Sequence, residues 1–136
     1  MKNIMMNKIH KIGTMRLIEN IQRMEYLPTG TEGDIAPLLF GDSLTSHAMV
    51  IPPGFYPAHS HPMELLIICT KGSCDIFQGD GSTRGVMKPM SVALVPANEE
   101  IGQEIHGPDP CEIIVAVAPR QMSREEFLSR FESHNK

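Results

Sequence analysis

Proline and glycine interrupt this chain at short, regular intervals: eleven of each fall between brief apolar segments instead of collecting in one linker. Proline cannot supply a ladder or helix donor and glycine favours tight turns, so the intervals suit short strands joined by turns and exclude long helices. Ser43 to Ile51 alternates as a half-buried strand does, and Pro52-Pro53-Gly54 ends it. Extended segments follow at Ala58 to Thr70, Cys74 to Gln78, Val92 to Val95, Ile101 to Ile105 and Cys111 to Ala118. Lys71-Gly72 reads as a hairpin turn, and Gly79-Asp80-Gly81-Ser82 and Gly107-Pro108-Asp109-Pro110 as further turns. Met15 to Tyr26 fits a strand pair and a short helix equally. The expectation is an all-β sandwich or barrel.

One helix is predicted. Pro119 ends the last strand, and Ser123-Arg-Glu-Glu126 has the spacing of a capping box, in which hydroxyl and carboxylate satisfy the first free N–H groups. Phe127, Leu128 and Phe131 then share one face, suited to covering an end of the barrel or a subunit seam, with a ligand lid as the other reading.

At 136 residues and 41% hydrophobic content the chain suits a single domain, drawn here as residues 15–136 behind an N-terminal arm of residues 1–14. Its twelve basic residues are scattered and its formal charge is −4, which predicts no nucleic-acid partner. The longest apolar stretches, Leu65 to Cys69 and Ile113 to Ala118, fall far short of the roughly 18 residues a membrane helix needs. The Met- and Lys-rich start lacks a signal-peptide core, which predicts a cytoplasmic protein with no membrane partner. Cys69, Cys74 and Cys111 form an odd set without a C-x-x-C pair, so reduced thiols are expected. A two-residue hairpin at Lys71-Gly72 would make Cys69 and Cys74 cross-strand neighbours, with a redox role open to them.

The chemically informative stretch is Gly54-Phe-Tyr-Pro-Ala-His59-Ser-His61-Pro-Met-Glu64-Leu65, running on to Gly72. Two histidines one residue apart on a strand project from the same face, where neutral imidazoles can share one ion. The stretch resembles the first motif of the cupin superfamily, and the strand order from Ser43 to Pro119 fits a cupin-type double-stranded β-helix, or jelly-roll barrel, with a short C-terminal helix. The resemblance implies metal-ligand positions at His59 and His61 and a hairpin glycine at Gly72. The family's acid position is Leu65 here, and Glu64 lies one residue early, on the opposite face unless a bulge re-aims it. In the second motif Pro96 is kept, but Met90 and Asn98 stand where glycines are usual, Ile101 where a ligand histidine is usual, and Ile105 where an asparagine is usual. Gln103 shares the inward face of Ile101, and His106 falls on the other face.

The candidate site is therefore His59 and His61, with Glu64 and Gln103 as weaker metal ligands. Two readings stand: a pocket binding a small organic molecule, with or without one divalent transition metal, and a metal-dependent enzyme of dioxygenase, isomerase or lyase type. Leu65, Ile67, Ile101 and Ile105 would make the pocket apolar, with Met49, Met63, Met87 and Met90 as core or adaptable lining. His47 is read as a hydrogen-bonded or surface histidine, and His10, His134, Glu99 and Glu100 as solvated. Free edge strands predict a homodimer. Light scattering is expected to return twice the mass of one chain, and a monomer would contradict the expectation.

Overall fold

The computed structural model describes residues 9–120 and 122–132, without the side chains of Phe131 and Glu132. Residues 1–8 of the expected arm, the side chain of Phe131 and His134 thus lie outside the described residues. The described strands are β1 (Ile9–Ile12), β2 (Met15–Ile18), β3 (Leu27–Pro28), β4 (Asp34–Phe40), β5 (Thr45–Ile51), β6 (Gly54–Ser60), β7 (Glu64–Lys71), β8 (Cys74–Phe77), β9 (Arg84–Met87), β10 (Val92–Val95), β11 (Glu100–Ile105) and β12 (Cys111–Ala118). One helix, α1 (Arg124–Glu132), closes the described chain. No helix among the described residues is long and apolar enough to cross a membrane.

Two antiparallel sheets carry the fold: six strands in the order β10-β7-β12-β5-β4-β3 and four in the order β6-β11-β8-β9. From β5 to β8 each strand crosses to the opposite sheet, and β10, β11 and β12 do the same, which is a jelly-roll path. The sheets face each other without closing into a continuous barrel. Along β12, Cys111, Ile113, Val115 and Val117 are buried while the residues between them are only partly covered; β7 repeats the pattern at Leu65, Ile67 and Cys69. This period-two pattern puts one face of each strand into a common core with Ile35, Met49, Ile51, Val95 and Ile105.

Part of the outer face of the larger sheet is covered as well. The β1–β2 hairpin spans residues on both sides of position 14, and Ile9 and Ile18 pack with Ile21, Tyr26 and Leu128 against Met24, Ala36, Leu38 and Ala48. The open stretch Met15 to Tyr26 becomes strand β2 followed by a 3-10 turn at Ile21–Arg23. β4 has no counterpart in the sequence reading. Pro37 argues against a strand, yet the register shifts between Pro37 and Phe40, so the missing donor falls at an irregularity of the ladder.

The turn at Lys71-Gly72 is a corner, not a hairpin. β7 pairs with β10 and β12, whereas β8 pairs with β9 and β11, so the chain changes sheets there. Gly72 has φ +74°, and a Cβ on it would collide with the carbonyl oxygen of Pro110. Cys69 therefore lies opposite Ile113 and Cys74 opposite Met87, which removes their expected cross-strand pairing. All three cysteines are free and buried, with Cys69 Sγ 3.9 Å from Cys111 Sγ.

The expected helix start is present. Glu126 N donates to Ser123 Oγ at 3.1 Å, and Ser123 N donates to Glu126 Oε1 at 3.1 Å, the reciprocal pair of a capping box. α1 sends Phe127 into the main core, with its ring edge-on to Phe40 at 5.7 Å, and Leu128 into the outer layer.

Met90 and Asn98, which stand at usual glycine positions, both have left-handed backbones, with φ +81° and +68°. Asparagine enters that region readily; methionine does not. Met90 is 89% exposed, so its side chain adds little packing in return. Met90→Gly is expected to relieve about 1–2 kcal/mol of strain against roughly 0.5–1 kcal/mol of added chain entropy, a net gain of about 0.5–1 kcal/mol. Thermal unfolding should show a higher midpoint for Met90→Gly and none for Met90→Ala; equal midpoints for wild type and the glycine variant would refute the strain argument.

Candidate functional site

Because the inward face of each sheet carries branched aliphatic side chains, the space between the sheets is lined mostly by hydrocarbon. It encloses a cavity of about 310 Å³, walled by Ile35, Met49, Leu65, Ile67, Ile113, Val115 and Val117 from the larger sheet and by Tyr56, Ile101 and Gln103 from the smaller. Phe127 closes one side. Of the residues expected to line an apolar pocket, Leu65, Ile67 and Ile101 do so, while Ile105 is buried away from it. Met49 and Met63 line it, Met87 is core, and Met90 is on the surface.

Three histidines reach this cavity: His47, His59 and His61. His59 is the penultimate residue of β6 and His61 lies just past its end, yet their rings sit side by side, with centroids 4.6 Å apart and planes at 59°. His59 is at the rim, its side chain 50% exposed. Its Nδ1 is 3.2 Å from the carbonyl oxygen of Pro57; only an N–H can bond there, so in the neutral ring Nε2 carries the lone pair. That Nε2 faces Glu32 Oε1 at 3.8 Å. His61 is deeper. Its Nδ1 is buried and, among the described residues, has no hydrogen-bond partner. Burial lowers the His61 pKa from its usual value, and the neighbouring His59 lowers it further.

His47, on β5, was not read as a site residue. It shares the parity of Met49 and Ile51, both buried, and that was the available signal; but Ala48 on the alternate face is buried too, so alternation did not separate the faces. Its ring tilts against Phe127 at 5.8 Å. Enclosure, and secondarily the charge of His61, pushes its pKa down to about 4. At neutral pH His47 is therefore an uncharged imidazole.

Glu32 was also missed. The loop Thr29-Gly30-Thr31-Glu32-Gly33 is tied by Thr29, whose hydroxyl accepts from Thr31 N at 3.2 Å and Glu32 N at 2.8 Å and donates to Gly33 O at 2.9 Å. Gly33, at φ +82°, packs so closely that a Cβ would collide with the carbonyl of Val50. The loop is thereby pinned against the β5 end of the larger sheet, with Glu32 at the rim beside His59. A threonine followed by flanking glycines signals such a turn in sequence, but not which site it will reach.

The two proposed lesser ligands part company. Glu64 begins β7 on its exposed face and does not line the cavity; β7 pairs without a bulge from Glu64 to Leu65, so nothing re-aims it. Gln103 is buried and lines the cavity, with its amide nitrogen directed at Cys74 Sγ, 3.8 Å away. His106 is on the outer face, 3.0 Å from Asp75 Oδ2. Asp75, Glu104 and His106 cluster there closely enough to offer an ion three ligand atoms. Arg84 already bridges both carboxylates and lies 4.8 Å over the ring of Phe77, so the cluster carries its own counter-charge. His10 is 3.2 Å from Glu19 at the surface.

No family model matches the sequence, and no curated protein matches it. Similarity appears in three dimensions. The chain is similar to an RmlC-like cupin from Shewanella frigidimarina, at 18% identity over 88% of this chain and 98% of that one, with a TM-score of 0.63. The chain has the cupin fold. A polyketide cyclase, RemF from Streptomyces resistomycificus, aligns at 17% identity over 90% of this chain and 94% of that one, TM-score 0.65. A DMSP lyase, DddQ from Ruegeria pomeroyi, aligns at 18% identity over 68% of this chain, TM-score 0.59, and this chain spans only 49% of its length.

Set against the cupin pattern, the site is divided. His59 and His61 stand together where the resemblance puts two ligands, and the partnerless Nδ1 of His61 leaves a buried polar atom for an ion or ligand to satisfy. Leu65 and Ile101, at the other two positions, are buried hydrocarbons that cannot coordinate anything. A metal therefore fits only if a donor outside the usual pattern joins the two histidines.

The low His47 pKa has a consequence for stability. The folded protein resists a proton that the unfolded chain accepts near pH 6.5, so stability is unaffected above that pH and falls as pH drops from about 6.5 towards 4. The loss contributed by His47 at pH about 4.5 is expected to be about 2–3 kcal/mol. Urea unfolding of chelator-treated protein at pH about 7.5 and 4.5 should show this difference shrinking in His47→Asn. An unchanged difference would place the acid sensitivity elsewhere.

Proposed function

We propose that this cupin binds a small organic molecule with an apolar body and one polar end, held in the cavity between the two sheets. The observation that supports this is the distribution of its lining. About 310 Å³ of space, near the lower end for small-molecule sites, is walled mainly by aliphatic side chains, with His59 and Glu32 at the exposed rim and His61 and His47 deeper. An apolar body removes hydrocarbon surface from water at roughly 25 cal/mol per Å². The polar end would meet the imidazoles of His47 and His61, whose lowered pKa values keep them neutral and able to accept or donate one hydrogen bond each.

A second reading is an enzyme on the same site. What favours it is the pairing of His47 and His61, both with lowered pKa values and so available as proton acceptors at neutral pH. A polyketide cyclase and a DMSP lyase share the fold, but fold similarity alone does not assign chemistry.

Medium-chain fatty acids and small aromatic carboxylic acids serve as probes. A bound probe at 100 times its Kd is expected to add about 2.7 kcal/mol of stability, read as a higher unfolding midpoint. Ile67→Trp, which fills the cavity, should abolish the shift while the variant alone still melts cooperatively. If no probe shifts wild type, or if the shift persists in Ile67→Trp, the cavity is not the binding site.

A further inference from the structure

We propose that the open part of the larger sheet's outer face docks a second copy of this chain, packed face to face with its strands running the opposite way. The layer built on the β1–β2 hairpin covers β4 and β5 and reaches Ile114 on β12. It ends there: Leu66 on β7 and Val92 and Leu94 on β10 are 38%, 61% and 59% exposed. Strand register gathers these side chains into two apolar rungs. Val92 lies opposite Ile68 and Ile68 opposite Ile114; Leu94 lies opposite Leu66 and Leu66 opposite Ala116. All six share the outer face, because Leu65, Ile67, Val95, Ile113 and Val115, which alternate with them, fill the core. A contiguous exposed apolar patch of this kind marks an interaction surface.

The charges at the rim of the patch select a second copy as the occupant. Exposed Glu64 stands at one end of β7, on the face it shares with Leu66. Lys71 stands at the other end, its side chain 68% exposed and its Nζ 4.0 Å from Glu112 of β12. Glu112 alternates with core-facing Cys111 and Ile113, so this end too lies on the outer face. An apolar centre flanked by an acid and a base is complementary to its own copy in one orientation. With strands antiparallel about a twofold axis, Glu64 of each chain faces Lys71 of the other. With strands parallel, like charges meet, which disfavours that arrangement. β10 is also an edge strand, and Ser91 to Val95 carries neither charge nor proline to guard it. A mate seated over it supplies the cover that its own sequence lacks. The inference is independent of what the cavity holds.

The test is sedimentation velocity on the full chain over a range of concentrations, with a thermal melt of each variant. Wild type is expected to dimerise. Leu94→Glu, which sets a charge in the apolar centre, should weaken dimerisation by more than about tenfold while still unfolding cooperatively. Val92→Glu, at an equally exposed position, repeats the measurement should Leu94→Glu fail to fold. Glu64→Lys and Lys71→Glu should each weaken dimerisation by about tenfold. An equimolar mixture of those two variants should recover dimers, because both rim contacts of the mixed pair join unlike charges. A wild-type monomer, whether inert or adsorbed to phosphatidylcholine vesicles, overturns the proposal, as do Leu94→Glu and Val92→Glu proteins that dimerise like wild type. Charge variants that leave dimerisation unchanged, or a mixture that stays monomeric, overturn it as well, since it fixes the direction of the strands.

Discussion

The position of β12 between β5 and β7 sets the terms for the whole molecule. Both of its edges are engaged, from Cys111 to Val117 against β5 and from Glu112 to Ala118 against β7. A strand held on both sides cannot slip by one residue without turning its entire buried set outward. Ile113, Val115 and Val117 are thereby committed to the interior, and the cavity they wall is fixed in place before any polar group enters it.

Against that hydrocarbon background the histidines carry most of the site's character. Burial makes the protonated ring unfavourable, so His47 and His61 stay neutral where a surface histidine would be partly charged. Neutrality suits them equally to hydrogen-bond a ligand and to donate a lone pair to an ion. Which use prevails depends on the third donor. Hydrocarbon at Leu65 and Ile101 removes the usual candidates, and the rim loop brings the Glu32 carboxylate to within 3.8 Å of His59.

Much of the frame was legible because it rests on local rules. The period-two pattern revealed β12 and β7, and Ser123 and Glu126 revealed the helix start; His59 and His61 do share a side, although His61 falls just beyond the strand on which the pattern was read. What was not legible depends on chain closure. Whether Lys71-Gly72 makes a hairpin or a corner is decided by which strands pair far along the chain, and a glycine serves either. Pro37 hid β4 because the irregularity that excuses it appears only once β5 is alongside. The cavity position of His47 was not legible because β5 is covered on both faces, by the core and by the N-terminal hairpin layer, so alternation carries no inside and outside. Glu32 comes from a segment 27 positions before His59, and nothing local links the two.

α1 touches two compartments within a single turn. Phe127 forms part of the cavity wall and Leu128 part of the layer outside the larger sheet, where Ile9 and Ile18 also pack. An occupant pressing on the Phe127 ring thus pushes against the same turn that seats the amino-terminal hairpin. A reporter dye on that hairpin would register filling of the interior from the far side of the sheet, without contacting the occupant at all.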